Sequence, residues 1–87
     1  MTFNNNIIND NGDYGVYLYY TGSYDIDGNT ISNNNDYGLY VYNVDSNTDN
    51  LISNNIIFDN YREEIYLYNG GNYSNYTILN NTITDNT

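Results

Sequence analysis

Gly15-Val16-Tyr17-Leu18-Tyr19 returns as Gly38-Leu39-Tyr40-Val41-Tyr42, and again, with glutamate in the glycine's place, as Glu64-Ile65-Tyr66-Leu67-Tyr68. Other columns keep the same phase. Phe3, Ile26, Ile52 and Ile78 each stand three residues before an asparagine, at Asn6, Asn29, Asn55 and Asn81. Two residues further on come Ile8, Ile31, Ile57 and Ile83, followed by Asn11, Asn34, Asn60 and Asn86. Every complete column advances by 23, then 26, then 26 residues. Self-similarity at a period in the twenties marks a solenoid, in which each repeat is one turn of chain stacked on the next.

Within each repeat the side chains alternate. Val16 and Leu18 fall on one face and Tyr17 and Tyr19 on the other; Leu39 and Val41 oppose Tyr40 and Tyr42; Ile65 and Leu67 oppose Tyr66 and Tyr68. Period-two alternation is the strand pattern, and the aliphatic face is the natural inside. A second short strand is centred on the Ile26, Ile52 and Ile78 column and a third on Ile8, Ile31, Ile57 and Ile83. The expected fold is all-β: a right-handed parallel β-helix of about three and a half coils, with three short strands per coil. Asparagine tolerates the left-handed backbone of a sharp corner, and its amide can bond to the coils on either side. The columns Asn6/29/55/81 and Asn11/34/60/86 are therefore placed at corners, the first mostly buried and the second ending a strand. The variable segments, 21–25, 43–50 and 69–77, read as loops gathered at one corner. Residues 1–87 form one repeat segment, in phase from Phe3 onward, which predicts a piece of a longer solenoid whose uncapped ends invite self-association.

Composition narrows the partners. The chain of 87 residues carries a formal charge of −10 with one cation, Arg62, and neither His nor Cys. Phosphate binding needs clustered Lys and Arg, so nucleic acid is excluded as a partner, and anionic glycans and acidic membrane surfaces are disfavoured. No apolar run approaches the roughly 20 residues of a membrane-spanning helix, so no membrane insertion is expected.

The runs Asn29-Thr30-Ile31-Ser32-Asn33-Asn34, Asn81-Thr82-Ile83-Thr84-Asp85-Asn86 and Tyr37-Gly38-Leu39-Tyr40-Val41 resemble right-handed parallel β-helix repeats. They are of the pectate-lyase-like, NosD-type kind found in adhesin-like surface proteins. The resemblance covers the whole chain and implies an extracellular or cell-surface setting. It implies no single activity, since lyases, glycoside hydrolases, adhesins and tailspikes share the fold. Glu64 departs from the pattern, in which Gly15 and Gly38 hold that column.

The most distinctive surface feature is the double tyrosine column, Tyr17/Tyr40/Tyr66 and Tyr19/Tyr42/Tyr68. With the aliphatics inside, six rings face outward on one sheet. They stack on one another across strands, and they also suit a contact face for a neutral glycan or a surface protein, because Tyr is enriched in recognition surfaces. The functional expectation is a structural or adhesive segment without catalysis or cofactor; the alternative is a non-catalytic part of a polysaccharide-active enzyme. Arg62, the only cation a lyase could use as base, aligns with Asp36 and reads as its ion-pair partner. Asp59 and Asp85 lie one coil apart and form the weak candidate for a Ca²⁺ or acid/base pair; their plain reading is two solvated corner residues. Asp25-Ile26-Asp27-Gly28-Asn29 reads as a turn, and Glu63-Glu64 as a solvated strand entry. Asn72, Asn75 and Asn80 begin glycosylation sequons, the first two in the expected long loop.

Overall fold

The computed structural model describes residues 1–19, 22–43, 45–70 and 73–84. Among them the chain forms strands β1 (Thr2–Asn4), β2 (Ile7–Asn9), β3 (Val16–Tyr19), β4 (Asp25–Asp27), β5 (Thr30–Ser32), β6 (Leu39–Asn43), β7 (Asp49–Ser53), β8 (Ile56–Phe58), β9 (Ile65–Asn69), β10 (Asn75–Leu79) and β11 (Thr82–Ile83). Three successive strands make one coil. Equivalent strands stack into three sheets, ordered β1-β4-β7-β10, β2-β5-β8-β11 and β3-β6-β9. All pairings are parallel. This is a parallel β-helix.

The register makes each sequence column a physical ladder. Phe3 pairs with Ile26, Ile26 with Ile52, and Ile52 with Ile78. Ile8, Ile31, Ile57 and Ile83 follow suit. Ile26, Ile31, Leu39, Val41, Ile52 and Ile57 are fully buried, and Phe3, Ile8, Leu18, Ile65 and Leu67 pack against them. Burying each such side chain is worth about 1.5–3 kcal/mol. No coil could bury these residues alone; the neighbouring coil supplies the other wall.

The corners differ from the sequence reading in one respect. The left-handed residue is the one before the ladder asparagine. Asn5, Asn54 and Asn80 precede the first column with φ of 58°, 56° and 57°, and Gly28 does so at 71°. Asp10, Asn33 and Asp59 precede the second at 57°, 55° and 56°. The reason lies in the ladder. Turning the chain at the preceding residue points the next side chain inward, where its amide reaches the adjacent coil.

Both asparagine columns do this. Asn29 donates from its backbone N–H and from Nδ2 to Oδ1 of Asn55, at 2.9 and 3.0 Å, while Nδ2 also reaches the Phe3 carbonyl at 2.8 Å. Asn55 repeats the pattern toward Asn81 and the Ile26 carbonyl. In the second column Asn34 donates to Oδ1 of Asn60 from N and Nδ2, at 3.0 and 2.9 Å. Asn34 and Asn60 are as buried as Asn29 and Asn55. The second column is thus a ladder in its own right, two residues beyond the end of its strand; Asn86 lies outside the described residues.

The third corner holds the variable segments, and much of the expected loop is strand. β7 and β10 begin at Asp49 and Asn75, two positions before the residues that align with the start of β4. Two of the three extra residues in each long repeat extend the sheet. The sequon at Asn75 therefore lies in β10, where Nδ2 of Asn75 meets Asp49 Oδ1 at 3.2 Å. Asn72 lies outside the described residues.

Candidate contact surface

The sheet β3-β6-β9 presents the tyrosines as its alternation requires. Val16, Leu39 and Val41 are buried beneath it, whereas Tyr17, Tyr19, Tyr66 and Tyr68 are 50, 46, 38 and 43 % exposed. Tyr40 and Tyr42, flanked on both sides, are half-buried. The register pairs Tyr17 with Tyr40 and Tyr40 with Tyr66, and likewise Tyr19 with Tyr42 and Tyr42 with Tyr68.

The rings are nearly parallel along each column. Tyr17 and Tyr40 lie 5.0 Å apart at 1°, Tyr40 and Tyr66 4.9 Å at 5°, Tyr19 and Tyr42 4.9 Å at 11°, and Tyr42 and Tyr68 4.4 Å at 5°. Parallel rings this close cannot lie side by side; they overlap as offset stacks. Tyr17 and Tyr19, in one strand, lie 6.3 Å apart at 7°. Each inner ring is covered on both faces by its column neighbours. The outer surface is consequently a grid of ring edges and phenol hydroxyls.

Two more rings join the grid. Tyr14 stacks on Tyr17 at 5.0 Å and on Tyr40 at 5.4 Å. Tyr37 tilts against Tyr40 and Tyr66 at 5.3 and 5.2 Å. The sequence reading passed over both, although Tyr14-Gly15 and Tyr37-Gly38 recur in phase and could have shown it. Among the described residues the array thus holds eight tyrosines. Burial among these rings raises the Tyr40 phenol above its ordinary value, helped by Tyr66 and Tyr17. Desolvation and then the charges of Asp36 and Asp13 raise Tyr14. Both hydroxyls stay protonated, and so remain hydrogen-bond donors, at neutral pH.

Acidic residues border the array. Arg62 Nε lies 3.3 Å from Asp36 Oδ1, the pairing the column alignment predicts, and its guanidinium stands 5.7 Å from the centre of the Tyr37 ring. A partly exposed pair of this kind contributes about 0–1 kcal/mol; its main effect is to fasten one edge of the grid.

The remaining candidates resolve into local structure. Asp59 is an exposed left-handed corner residue, and Asp85 lies outside the described residues. Among the described residues no three acidic side chains gather as a metal would require. In 25–29, Gly28 makes the corner, and Asp27 accepts from Ser53 Oγ at 2.9 Å and Asn54 Nδ2 at 2.8 Å. Glu64 corrects the sequence reading outright. It is 7 % exposed, not solvated, and both its carboxylate oxygens accept from Asn60.

Stacked parallel coils with inward aliphatic and asparagine ladders define the class of solenoid to which this molecule belongs. The chain is a member of the right-handed beta helix family, whose "right handed beta helix region" matches residues 1–87. No curated protein and no solved structure matches it.

Proposed function

We propose that this β-helix segment is a non-catalytic contact module, and that the tyrosine sheet binds a neutral glycan chain. The observation that carries this reading is the array itself: among the described residues, eight rings continuous on one face. Folded monomers rarely leave so large an aromatic patch to solvent unless it meets something. A surface of ring edges and hydroxyls offers C–H contact together with donors and acceptors at each strand spacing, which matches the alternating hydroxyl and C–H surface of an uncharged sugar chain. The charge of −10 and the flanking Asp13, Asp36 and Glu63 repel anionic glycans. An adhesive role on a cell surface or in a secreted protein follows from the same reading and from the extracytoplasmic setting that the family resemblance implies.

The test is a panel of neutral and acidic glycans presented to the 87-residue chain and to a Tyr17→Phe/Tyr40→Phe/Tyr66→Phe variant. Phenylalanine keeps the stack and removes the hydroxyls. Selective binding to neutral glycans, weakened at least tenfold in the variant while its melting temperature holds, supports the reading. Absence of binding to every glycan by the folded wild-type chain refutes it.

A further inference from the structure

Among the described residues, eight other than glycine hold a left-handed backbone, and seven of them are asparagine or aspartate. The eighth is Tyr73, at φ 60°. Asparagine and aspartate reach this region readily because their short polar side chains bond locally, whereas a bulky ring there is strained. The corner itself does not ask for a ring. Asn47, one coil earlier, stands at the same place with φ 59°. The positions that follow the two residues are bound together: Thr48 Oγ1 donates to Ser74 Oγ at 2.9 Å, and Asp49 pairs with Asn75. Nor does Tyr73 fill a core, since it is 85 % exposed. An outlier that serves neither the turn nor the packing points to function.

Its mount is tied down. Ser74 Oγ also accepts from the Thr48 N–H at 3.3 Å and donates to the Asp45 carbonyl at 2.9 Å. The Asn75 N–H donates to the Thr48 carbonyl at 2.8 Å. Tyr73 follows Tyr68 by five residues, so at most about 18 Å of chain separates it from the tyrosine sheet. The two differ in what their rings offer. Tyr40 and Tyr42 are covered on both faces by their column neighbours and present edges and hydroxyls. Tyr73, with most of its surface in solvent, keeps a ring face open. That face carries the negative part of the ring quadrupole, which attracts the slightly positive hydrogens of C–H bonds. A pyranose with equatorial hydroxyls carries its axial C–H bonds on its two faces and can lie flat on such a ring.

We propose that Tyr73 is a stacking platform for one sugar ring at the rim of the tyrosine sheet. It selects, among neutral glycans, pyranose chains with equatorial hydroxyls, of which β-1,4-linked glucose is the simplest. The inference rests on the glycan reading of the sheet and adds the residue that takes a sugar by its face. Tyr61 is the matched control: it is 65 % exposed, on ordinary backbone beside Arg62 and Glu63, and Asn35 holds its place one coil earlier.

The probes are a soluble β-1,4-linked glucose hexamer and a fructofuranose hexamer, titrated by NMR against the 87-residue chain. The wild type binds the glucose hexamer more tightly, and sugar C–H protons move upfield in the ring current. Tyr73→Asn, which restores the residue of the preceding coil, weakens that binding by about fivefold or more and melts no lower than the wild type. Tyr73→Phe, which keeps the face, and Tyr61→Asn bind as the wild type does. Unchanged binding in Tyr73→Asn overturns the platform, and a lowered melting temperature in that variant assigns the ring to the fold instead. Equal binding of the two hexamers, or none by the folded wild type, also overturns it. The sheet's own reading stands or falls separately, on the wider glycan panel and the triple phenylalanine variant.

Discussion

The two asparagine ladders are built alike but differ in the partners of their last described members. The first runs from Asn6 through Asn29 and Asn55 to Asn81, the amide oxygens of Asn29, Asn55 and Asn81 each accepting two bonds from the coil before. Among the described residues the second runs from Asn11 through Asn34 to Asn60, whose N–H and Nδ2 donate to Glu64, four residues along the same chain. In the first, the hydrogen bonds of the asparagines all reach adjacent coils, 23, 26 or 29 residues away. In the second, Asn60 donates to a local partner, Glu64. The comparison teaches that such a ladder is a chain of mutual dependence: an interior asparagine is tolerable because the neighbouring coil supplies its partner, and a buried carboxylate can take the same two donors.

The largest effect should come from breaking the first ladder in its middle. Asn55→Ala leaves buried Asn29 without the acceptor for its N–H and Nδ2, and removes the donor to Ile26 and Asn81. Each buried group so stranded costs about 1–3 kcal/mol, so the expected loss is about 3–5 kcal/mol. Asn6→Ala removes only one donor to Asn29, at a part-buried position, and should cost about 1 kcal/mol. Urea unfolding of both variants checks this. Equal losses would mean that the ladder carries no special dependence on its interior members.

The ladder columns, the strand alternation, the inside and outside faces and the Arg62–Asp36 pairing were all legible in the sequence, because a solenoid converts sequence period directly into spatial stacking. What was not legible depends on geometry between coils. That the left-handed residue is Asn54 rather than Asn55 follows from which way the amide must point, and both positions are asparagine. That Glu64 turns inward depends on the Asn60 donors it meets there. The true length of β7 and β10 depends on the two long loops agreeing with each other, which a single repeat cannot show. The face-covered stacking of the tyrosines is likewise a property of ring tilt, although the alternation placed the rings outside correctly.

The glycine column sharpens the contrast at a smaller scale. Gly38→Ala forces a methyl group against the Glu64 carbonyl and Asn60 Nδ2. Overpacking of this kind costs about 1–3 kcal/mol. In a domain of this size, 1 kcal/mol corresponds to a fall of about 4–8 °C in melting temperature. Gly12→Ala, at a position with open space around it, should change stability by less than about 0.5 kcal/mol. Thermal unfolding by circular dichroism distinguishes them. A Gly38→Ala chain as stable as the wild type would show that the coils can slide apart at this corner.

The smallest expected effect separates the ladders by pH. Glu64 is raised above its ordinary value by desolvation, which outweighs the bonds from Asn60, with the charge of Asp59 adding to it. A carboxyl raised in the fold holds its proton longer there than in the unfolded chain. Its contribution is therefore fully present below the unfolded value and lost as pH rises through the folded one. Asp27, beside the first ladder's corner, is lowered by the bonds from Asn54 and Ser53. Its contribution has the opposite sign, present above the unfolded value and lost as pH falls through the folded one. Unfolding free energies measured from acid to neutral pH should thus pass through a shallow maximum. Glu64→Gln should flatten the neutral side alone and Asp27→Asn the acid side alone. If Glu64→Gln instead left the neutral side unchanged, the carboxyl would not be titrating against a buried ladder member, and the two corners would differ only in shape.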